Sequence, residues 1–179
     1  MRPVINLIAG IVLSACAASS SRADEAFAPA DPRSVVQTVI ALTDRHALPA
    51  WSEASFGARL APYLTRDLLA AVQSGGRIAM KKHINLYDGE FFTGSQGLEH
   101  AHLFSATLVK SDGDDATVEA SIGTSDDPNA QPKAGERTRF ELKRAGGVWK
   151  IDDFRNLESY ASAQPSIKTL FKNPVRYGN

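Results

Sequence analysis

The chain has 179 residues, which is enough for one domain with a hydrophobic core of its own. Hydrophobic residues make up 43% of the sequence and charged residues 22%, a composition typical of an ordinary globular protein. Twenty basic and twenty acidic residues cancel, and no long run of like charge occurs. This balance disfavours a nucleic-acid-binding protein.

The N-terminal residues predict a signal peptide. Arg2 precedes a short apolar run from Val4 to Leu13 that only Asn6 interrupts. The run is too short to span a bilayer, which takes about 20 residues, but it has the length of the apolar region of a secretory signal. Cys16, the only cysteine of the chain, follows closely after this run.

The motif Leu13-Ser14-Ala15-Cys16 resembles the lipobox of bacterial lipoproteins, in which the cysteine is acylated and becomes the new N-terminus. The resemblance implies that residues 1–15 are a signal peptide of the lipoprotein type and that a lipid on Cys16 anchors the protein in the periplasm. Ala17 instead of Asp after the cysteine implies sorting to the outer membrane. The alternative is a plain export signal cleaved after Ala23, which would leave a soluble periplasmic protein. Either way, no thiol remains for an internal disulfide or for catalysis.

Residues 16–31 are small, polar and proline-bearing, and they predict a flexible tether. The sequence Asp31-Pro32 then starts a helix with an N-cap carboxylate, and apolar residues at helical spacing continue to about Ala47. A second helix is predicted from about Ser55. A third begins after Thr65, whose hydroxyl can cap it, and we expect Gly75-Gly76 to weaken or break this helix.

Four antiparallel strands are predicted after the helices. Ala101–Lys110 and Ala116–Thr124 form the first pair, and a hairpin within Arg137–Asn156 forms the second. A short helix near Ser166–Lys172 follows in a C-terminal tail of residues 161–179. Helices followed by strands in this order predict an α+β fold, with the helices packed on one face of a curved four-stranded antiparallel sheet.

The charges of the hairpin predict its register. A turn at Ala145-Gly146 would set opposite charges across the two strands and apolar residues on one face. The resulting pairs are Leu142 with Trp149, Phe140 with Ile151, Glu141 with Lys150 and Arg139 with Asp152. A slip by two residues would instead place Lys143 opposite Lys150, a like-charge pair that is unfavourable.

The order of the elements, with the helix pair in LAPYLTRDLLAAV and the terminal motif GGVWKIDDF, resembles the cystatin-like cone of the nuclear-transport-factor-two-like superfamily. The segment YDGEFFTGSQG together with WKIDDF resembles a family of bacterial exported proteins and lipoproteins, a domain of unknown function. The resemblance implies a cystatin-like domain over residues 32–160. The family has no assigned activity, so no site residue is implied.

Two groups of residues are candidates for chemistry. Asp153 is expected to point inward with Trp149 and Ile151, where a carboxylate among apolar walls could act as a general base; the alternative is a carboxylate that is solvated or bonded to backbone amides. His100 and His102 share one strand face and could ligate a metal, with a third ligand from His83, Asp88 or Glu90. Two histidines at this spacing are common at strand ends, and no cofactor is expected.

A loop of aromatic and acidic residues is the candidate binding site for a small ligand or a protein partner. Its members are Tyr87, Asp88, Glu90, Phe91 and Phe92. The alternative is that the two phenylalanines divide between the core and a packed loop, while the carboxylates form turn hydrogen bonds.

These observations favour an exported, lipid-anchored domain of the bacterial envelope that binds a protein or small ligand without catalysis. The alternative is a small pocket enzyme of the isomerase, dehydratase or hydrolase type that uses Asp153, assisted by His102 or Tyr87. A periplasmic inhibitor of a secreted toxin is the second alternative. The expected partner is an envelope protein or small ligand, the membrane is contacted only through the N-terminal lipid, and an oligomer is compatible with the sequence.

Overall fold

The computed structural model describes residues 31–45, 59–84, 92, 100–125, 136–157 and 165–177. In chain order, the described helices are α1 (Pro32–Arg45), a 3-10 turn (Ala61–Tyr63) and α2 (Arg66–Lys82). The strands β1 (His100–Asp112), β2 (Asp115–Ser125), β3 (Glu136–Ala145) and β4 (Val148–Asn156) follow, and then the short helices α3 (Ile167–Lys172) and α4 (Pro174–Tyr177). The strands form one antiparallel sheet in the order β1-β2-β3-β4, which confirms the predicted α+β class.

Side-chain caps start both long helices at the predicted positions. Asp31 Oδ1 accepts a hydrogen bond of 2.9 Å from the Arg33 amide, and Thr65 Oγ1 accepts one of 3.2 Å from the Leu68 amide. These bonds satisfy amide groups that have no acceptor within the helix. The start of the second predicted helix, at residues 55–58, lies outside the described ranges, and the 3-10 turn Ala61–Tyr63 occupies its later part.

The prediction that Gly75-Gly76 breaks the third helix is wrong, because α2 runs through both glycines. Gly75 is buried against the main chain of Phe171 in α3, and a Cβ atom at position 75 would collide with the Phe171 carbonyl. Gly76 has open space where its Cβ would be. Gly75 therefore allows α3 to approach α2 closely, and this packing compensates for the low helix propensity of glycine.

The sheet has one face covered by helices and one polar face, as is typical of antiparallel sheets. On the polar face, Arg139 Nη2 lies 2.6 Å from Glu119 Oε1 across the β2–β3 pair. Thr117 Oγ1 donates a 2.7 Å hydrogen bond to Glu141 Oε2 across the same pair. The covered face contributes buried apolar residues to the core from the two inner strands: Ala116, Val118, Ala120, Ile122, Phe140 and Leu142.

The predicted register of the β3–β4 hairpin is wrong. Gly146 and Gly147 form the two-residue turn, with Ala145 opposite Val148, and both glycines have positive φ values of 62° and 83°. A two-residue hairpin turn of this kind needs positive φ at both central positions, which glycine provides without strain. The turn geometry outweighs the charge pairing, which contributes only about 0.2–1 kcal/mol per pair.

The observed pairs follow from that turn and from one extra residue in β4. They are Arg144 with Trp149, Lys143 with Lys150, Leu142 with Ile151, Glu141 with Asp153, and Phe140 with Phe154. From the turn to Ile151, the strands pair in the register that the charges had disfavoured, with Lys143 opposite Lys150. Asp152 is the extra residue of a β-bulge, and the pairing shifts by one residue after it. The predicted apolar residues of the hairpin are nevertheless all buried.

The predicted short helix near Ser166–Lys172 is confirmed as α3, with Ser166 as its N-cap. Its residues Ile167, Leu170 and Phe171 are buried within the same core cluster as the sheet and the long helices. The helix ends at Asn173, directly before Pro174. The C-terminal segment is therefore an integral part of the core.

Candidate functional site

Lys168 of α3 brings three elements together through its side-chain amine. Its Nζ lies 2.8 Å from Asp67 Oδ2, in the first turn of α2, and 2.8 Å from Asp152 Oδ2 in β4. Thr65, the N-cap of α2, donates a 2.8 Å hydrogen bond from its hydroxyl to Asp152 Oδ1. We refer to Thr65, Asp67, Asp152 and Lys168 as the ion cluster.

The bulge in β4 positions Asp152 for these contacts. As the extra residue of the strand, Asp152 has no partner in β3. The start of α2 lies beside β4 at this point, and the Thr65 amide donates a 2.8 Å hydrogen bond to the Ile151 carbonyl. The Asp152 carboxylate can therefore accept from Thr65 and Lys168 at once, and Lys143 Nζ approaches it to 3.6 Å.

The amine and the two carboxylates of the ion cluster stabilise one another's charged forms. Burial acts to raise the pKa of Asp152, but hydrogen bonds from Lys168 and Thr65 and the nearby positive charges outweigh it, so this pKa lies below its ordinary value. Burial acts to lower the pKa of Lys168, but hydrogen bonds to Asp152 and Asp67 raise it above its ordinary value. Groups held this firmly in their charged forms at neutral pH are poor proton donors and acceptors. The ion cluster fixes α3 to the rest of the fold.

The expectation that Asp153 points inward with Trp149 and Ile151 is wrong. The bulge shifts the alternation of β4 by one residue, so that Phe154 and Asn156 occupy the next buried positions. Asp153 Oδ1 accepts hydrogen bonds from two amides, those of Phe154 at 2.8 Å and Lys168 at 3.0 Å. The carboxylate therefore binds the first turn of α3, and its role as a general base stays a prediction.

Most of the aromatic and acidic loop lies outside the described residues, namely Tyr87, Asp88, Glu90 and Phe91. Phe92 is described and is only 2% exposed. Its ring lies 4.9 Å from that of Phe154 and 6.1 Å from that of Phe140, between centroids. The Thr138 hydroxyl donates a 3.1 Å hydrogen bond to the main-chain carbonyl of Phe92. Phe92 is thus a core residue in this structure, and ligand binding by the loop stays a prediction.

His102 lies on β1 opposite Gly123 and is partly buried. Its Nε2 is buried and has no hydrogen-bond partner among the described residues. The side chain of His100 lies outside the part of the chain that is described. Within the described ranges, no group of three or more His, Cys, Asp and Glu side chains could hold a metal ion. Metal binding by the two histidines stays a prediction.

The edge strand β1 exposes three large apolar side chains. Phe104 and Val109 are 52% and 53% exposed, and Leu108 is 38% exposed. Phe104 and Val109 are the extra residues of two β-bulges, since the pairing of β1 with β2 omits both. Bulges hinder the addition of another strand to a sheet edge. Phe104, Leu108 and Val109, which we call the β1 patch, are therefore available for side-chain contacts with another molecule.

Sequence reasoning missed the ion cluster and the β1 patch. The sequence predicts only that Thr65 starts α2 and that Asp152 pairs with Arg139. Lys168 carries no local signal for its role, because both of its carboxylate partners belong to elements distant in sequence. The two bulges of β1 likewise have no glycine to indicate them.

No protein-family model and no curated relative matches the chain. Among solved structures, it is similar to a proposed aromatic ring hydroxylase from Novosphingobium aromaticivorans, at 12% identity and a TM-score of 0.41, covering 72% of this chain and 89% of that one. A phospholipid-binding protein from Ralstonia solanacearum, solved with a phospholipid, has 12% identity and a TM-score of 0.42, covering 80% and 84%. The intermembrane space region of the chloroplast protein ARC6 has 19% identity and a TM-score of 0.38, covering 72% and 98%. Similarities this low carry no argument about function.

In the described part of the chain, none of the helices has the length and apolar character needed to span a bilayer.

Proposed function

We propose that this protein is an exported domain of the bacterial envelope, anchored by a lipid on Cys16, that binds an envelope protein without catalysis. The β1 patch is the observation that carries the binding function. Aromatic side chains are enriched in protein interfaces, where anchors that fill a pocket of the partner carry much of the binding free energy. Phe104, about half exposed on β1, is a side chain of this kind, and Val109 adds exposed apolar surface on the same strand.

The bulges of β1 specify the kind of contact. A partner that added a strand would need a regular row of free amide and carbonyl groups along the edge. Two extra residues within a strand of thirteen interrupt that row. We therefore expect a partner surface with a pocket or groove for the phenyl ring of Phe104, with side-chain packing as the main interaction.

The state of the acidic side chains supports binding over catalysis. Asp153 is engaged by two main-chain amides, and Asp152 is engaged by Thr65 and Lys168. Both carboxylates have structural partners that account for their positions. A role as an exchangeable acid or base would require breaking these contacts.

Site-specific photo-crosslinking in cells tests the β1 patch. A crosslinking amino acid at position 104 or 109 should give the same discrete adduct, and at position 80 it should give none. Met80 is a matched control because it is also apolar and exposed, at 67%, but lies on α2. The binding proposal is contradicted if positions 104 and 109 give no adduct, or the same adducts as position 80.

The anchor is tested separately. Mass spectrometry of the mature N-terminal peptide should find acylated Cys16, and Cys16→Ala should release the protein from the membrane fraction. Ala17→Asp should shift the protein from the outer to the inner membrane fraction. An unmodified mature terminus at Asp24 would contradict the lipid anchor and leave the soluble periplasmic alternative.

A further inference from the structure

The hairpin of β3 and β4 concentrates positive charge. Lys143 and Lys150 lie directly opposite each other, and Arg144 is opposite Trp149. Like charges in directly opposite positions repel, so this pairing is unfavourable by itself. Among the described residues, Lys143 has one carboxylate within ion-pair distance, since its Nζ lies 3.6 Å from Asp152 Oδ2. Lys168 Nζ lies closer to the same oxygen, at 2.8 Å. The end of the hairpin therefore carries three cations, of which Lys143 faces Asp115 across the β2–β3 pair, while Arg144 and Lys150 have no carboxylate opposite them in the sheet. Unpaired cations of this kind attract anions.

Trp149, in the same hairpin, has a buried hydrogen-bond donor that is not used. The residue is only 2% exposed, and its indole Nε1 has no acceptor among the described residues. Buried indole N–H groups usually have a partner, because a donor removed from water without an acceptor is unfavourable. An unsatisfied buried group of this kind calls for a specific explanation, such as a bound ion or ligand.

Arg144 covers the indole of Trp149. Its guanidinium carbon lies 4.5 Å from the ring centroid, within the range of a cation–π contact, and the residue is exposed. The described structure shows no carboxylate paired with this guanidinium. A stacked guanidinium still has N–H groups available at its rim, and it binds carboxylate and phosphate groups through two parallel hydrogen bonds.

We propose that Arg144 and Trp149 form a binding site for an oxyanion, a carboxylate or phosphate group. One oxygen accepts from the Arg144 guanidinium and a second from the Trp149 indole N–H. The exposed Arg144 side chain covers the ring, so it must move for the ligand to reach the buried N–H. Both side chains are only donors, so the ligand must supply acceptors. This site shares no residue with the β1 patch and goes beyond the proposed function.

The indole N–H resonance of Trp149 provides a direct measurement. The chain has two tryptophans, so Trp51→Phe leaves a single indole signal in a ¹H–¹⁵N NMR spectrum and a single tryptophan emission. Titration with sodium acetate, sodium dodecanoate or inorganic phosphate, against sodium chloride at equal ionic strength, separates the sources of the oxyanion. We expect a saturable downfield shift of the Trp149 N–H with at least one probe. A preference for dodecanoate indicates an acyl ligand, and a preference for phosphate indicates a phosphate group.

Matched variants test which residues bind. Arg144→Gln should weaken the affinity by about tenfold or more, because it removes charge-assisted hydrogen bonds. Arg155→Gln, an exposed arginine on β4, should leave the affinity unchanged. Arg144→Lys keeps the charge but not the planar fork, and should give a weaker site. Circular dichroism checks that each variant folds. The proposal is overturned if no probe gives a saturable shift beyond that of chloride, or if Arg144→Gln binds as tightly as the parent.

Discussion

Lys168 Nζ lies 2.8 Å from Asp152 Oδ2, and this contact joins the C-terminal helix α3 to the bulge of β4. The same amine contacts Asp67 at the start of α2, so one side chain fixes three elements. Removal of one partner from a largely buried ion pair leaves the other charge uncompensated, which is more costly than loss of the pair as a whole. Substitution of Lys168, at the centre of the ion cluster, should therefore lower the free energy of unfolding more than substitution of the exposed Lys172 at its edge.

We expect Lys168→Met to reduce the free energy of unfolding by about 2 kcal/mol or more. The substitution retains much of the aliphatic length but leaves Asp152 without its main partner. Lys172→Met is the control, since Lys172 Nζ also contacts Asp67, at 3.1 Å, but is more exposed. It should change the stability by less than about 0.5 kcal/mol. Urea unfolding followed by circular dichroism measures both, and equal effects would contradict the central role of Lys168.

The ion cluster should also make stability depend on pH. The pKa of Asp152 is lowered in the folded state, since hydrogen bonds from Lys168 and Thr65 outweigh the burial that acts to raise it. Its contribution is therefore present above its unfolded pKa, near pH 4, and is lost as the pH falls through the folded pKa. The pKa of Lys168 is raised, so its contribution is present below about pH 10 and is lost as the pH rises through the folded value.

Urea unfolding in steps of about half a pH unit, from about pH 2.5 to about pH 7, measures the acid side of this dependence. We expect stability to fall below about pH 4 and Asp152→Asn to flatten the fall, because the amide at that position does not titrate. Asp112→Asn is a suitable control, since Asp112 is exposed at the β1–β2 turn. An unchanged acid slope in Asp152→Asn would show that other carboxylates dominate.

Gly75 and Gly76 should respond in opposite directions to alanine. At position 75 the new Cβ meets the Phe171 carbonyl, so we expect Gly75→Ala to destabilise the protein by about 2 kcal/mol through displacement of α3. At position 76 the Cβ has open space, so Gly76→Ala should stabilise α2 by about 0.5–1 kcal/mol. Thermal unfolding of the two variants compares them directly. Stabilisation by both would mean that α3 does not pack against Gly75.

Asp153 should behave as a structural acceptor. Asp153→Ala removes the bonds from the Phe154 and Lys168 amides, and we expect a loss of about 1 kcal/mol in the free energy of unfolding. Asp153→Asn retains a carbonyl oxygen that can accept the same bonds, so its loss should be smaller. Chemical denaturation measures both, and a larger loss in the asparagine variant would contradict this role.

Local sequence signals predicted the elements well because they act over a few residues. The carboxylate of Asp31 and the hydroxyl of Thr65 start helices where expected. The predicted apolar residues of the β3–β4 hairpin are buried. The errors come from tertiary effects. Gly75 was predicted to break the helix, but the helix continues through it, and its small size allows the main chain of Phe171 in a distant segment to approach. The hairpin register followed the turn geometry of Gly146 and Gly147, which outweighs the charges.

The candidate site was harder to predict, because its geometry depends on irregularities of the strands. A single extra residue at Asp152 changed the orientation of Asp153 and created the acceptor for Lys168. The β1 patch arises in the same way from two further bulges. No pattern of residue types marked any of the three, so faces assigned by strict alternation were correct only up to the first bulge.

The burial of Ile167, Leu170 and Phe171 has a consequence for truncation. These side chains complete a core whose other contributors lie far earlier in the chain, between Val35 and Phe154. A polypeptide that stopped before Ser166 would leave that interior open to water. Deletion of residues 166–177 should therefore destabilise the remaining domain.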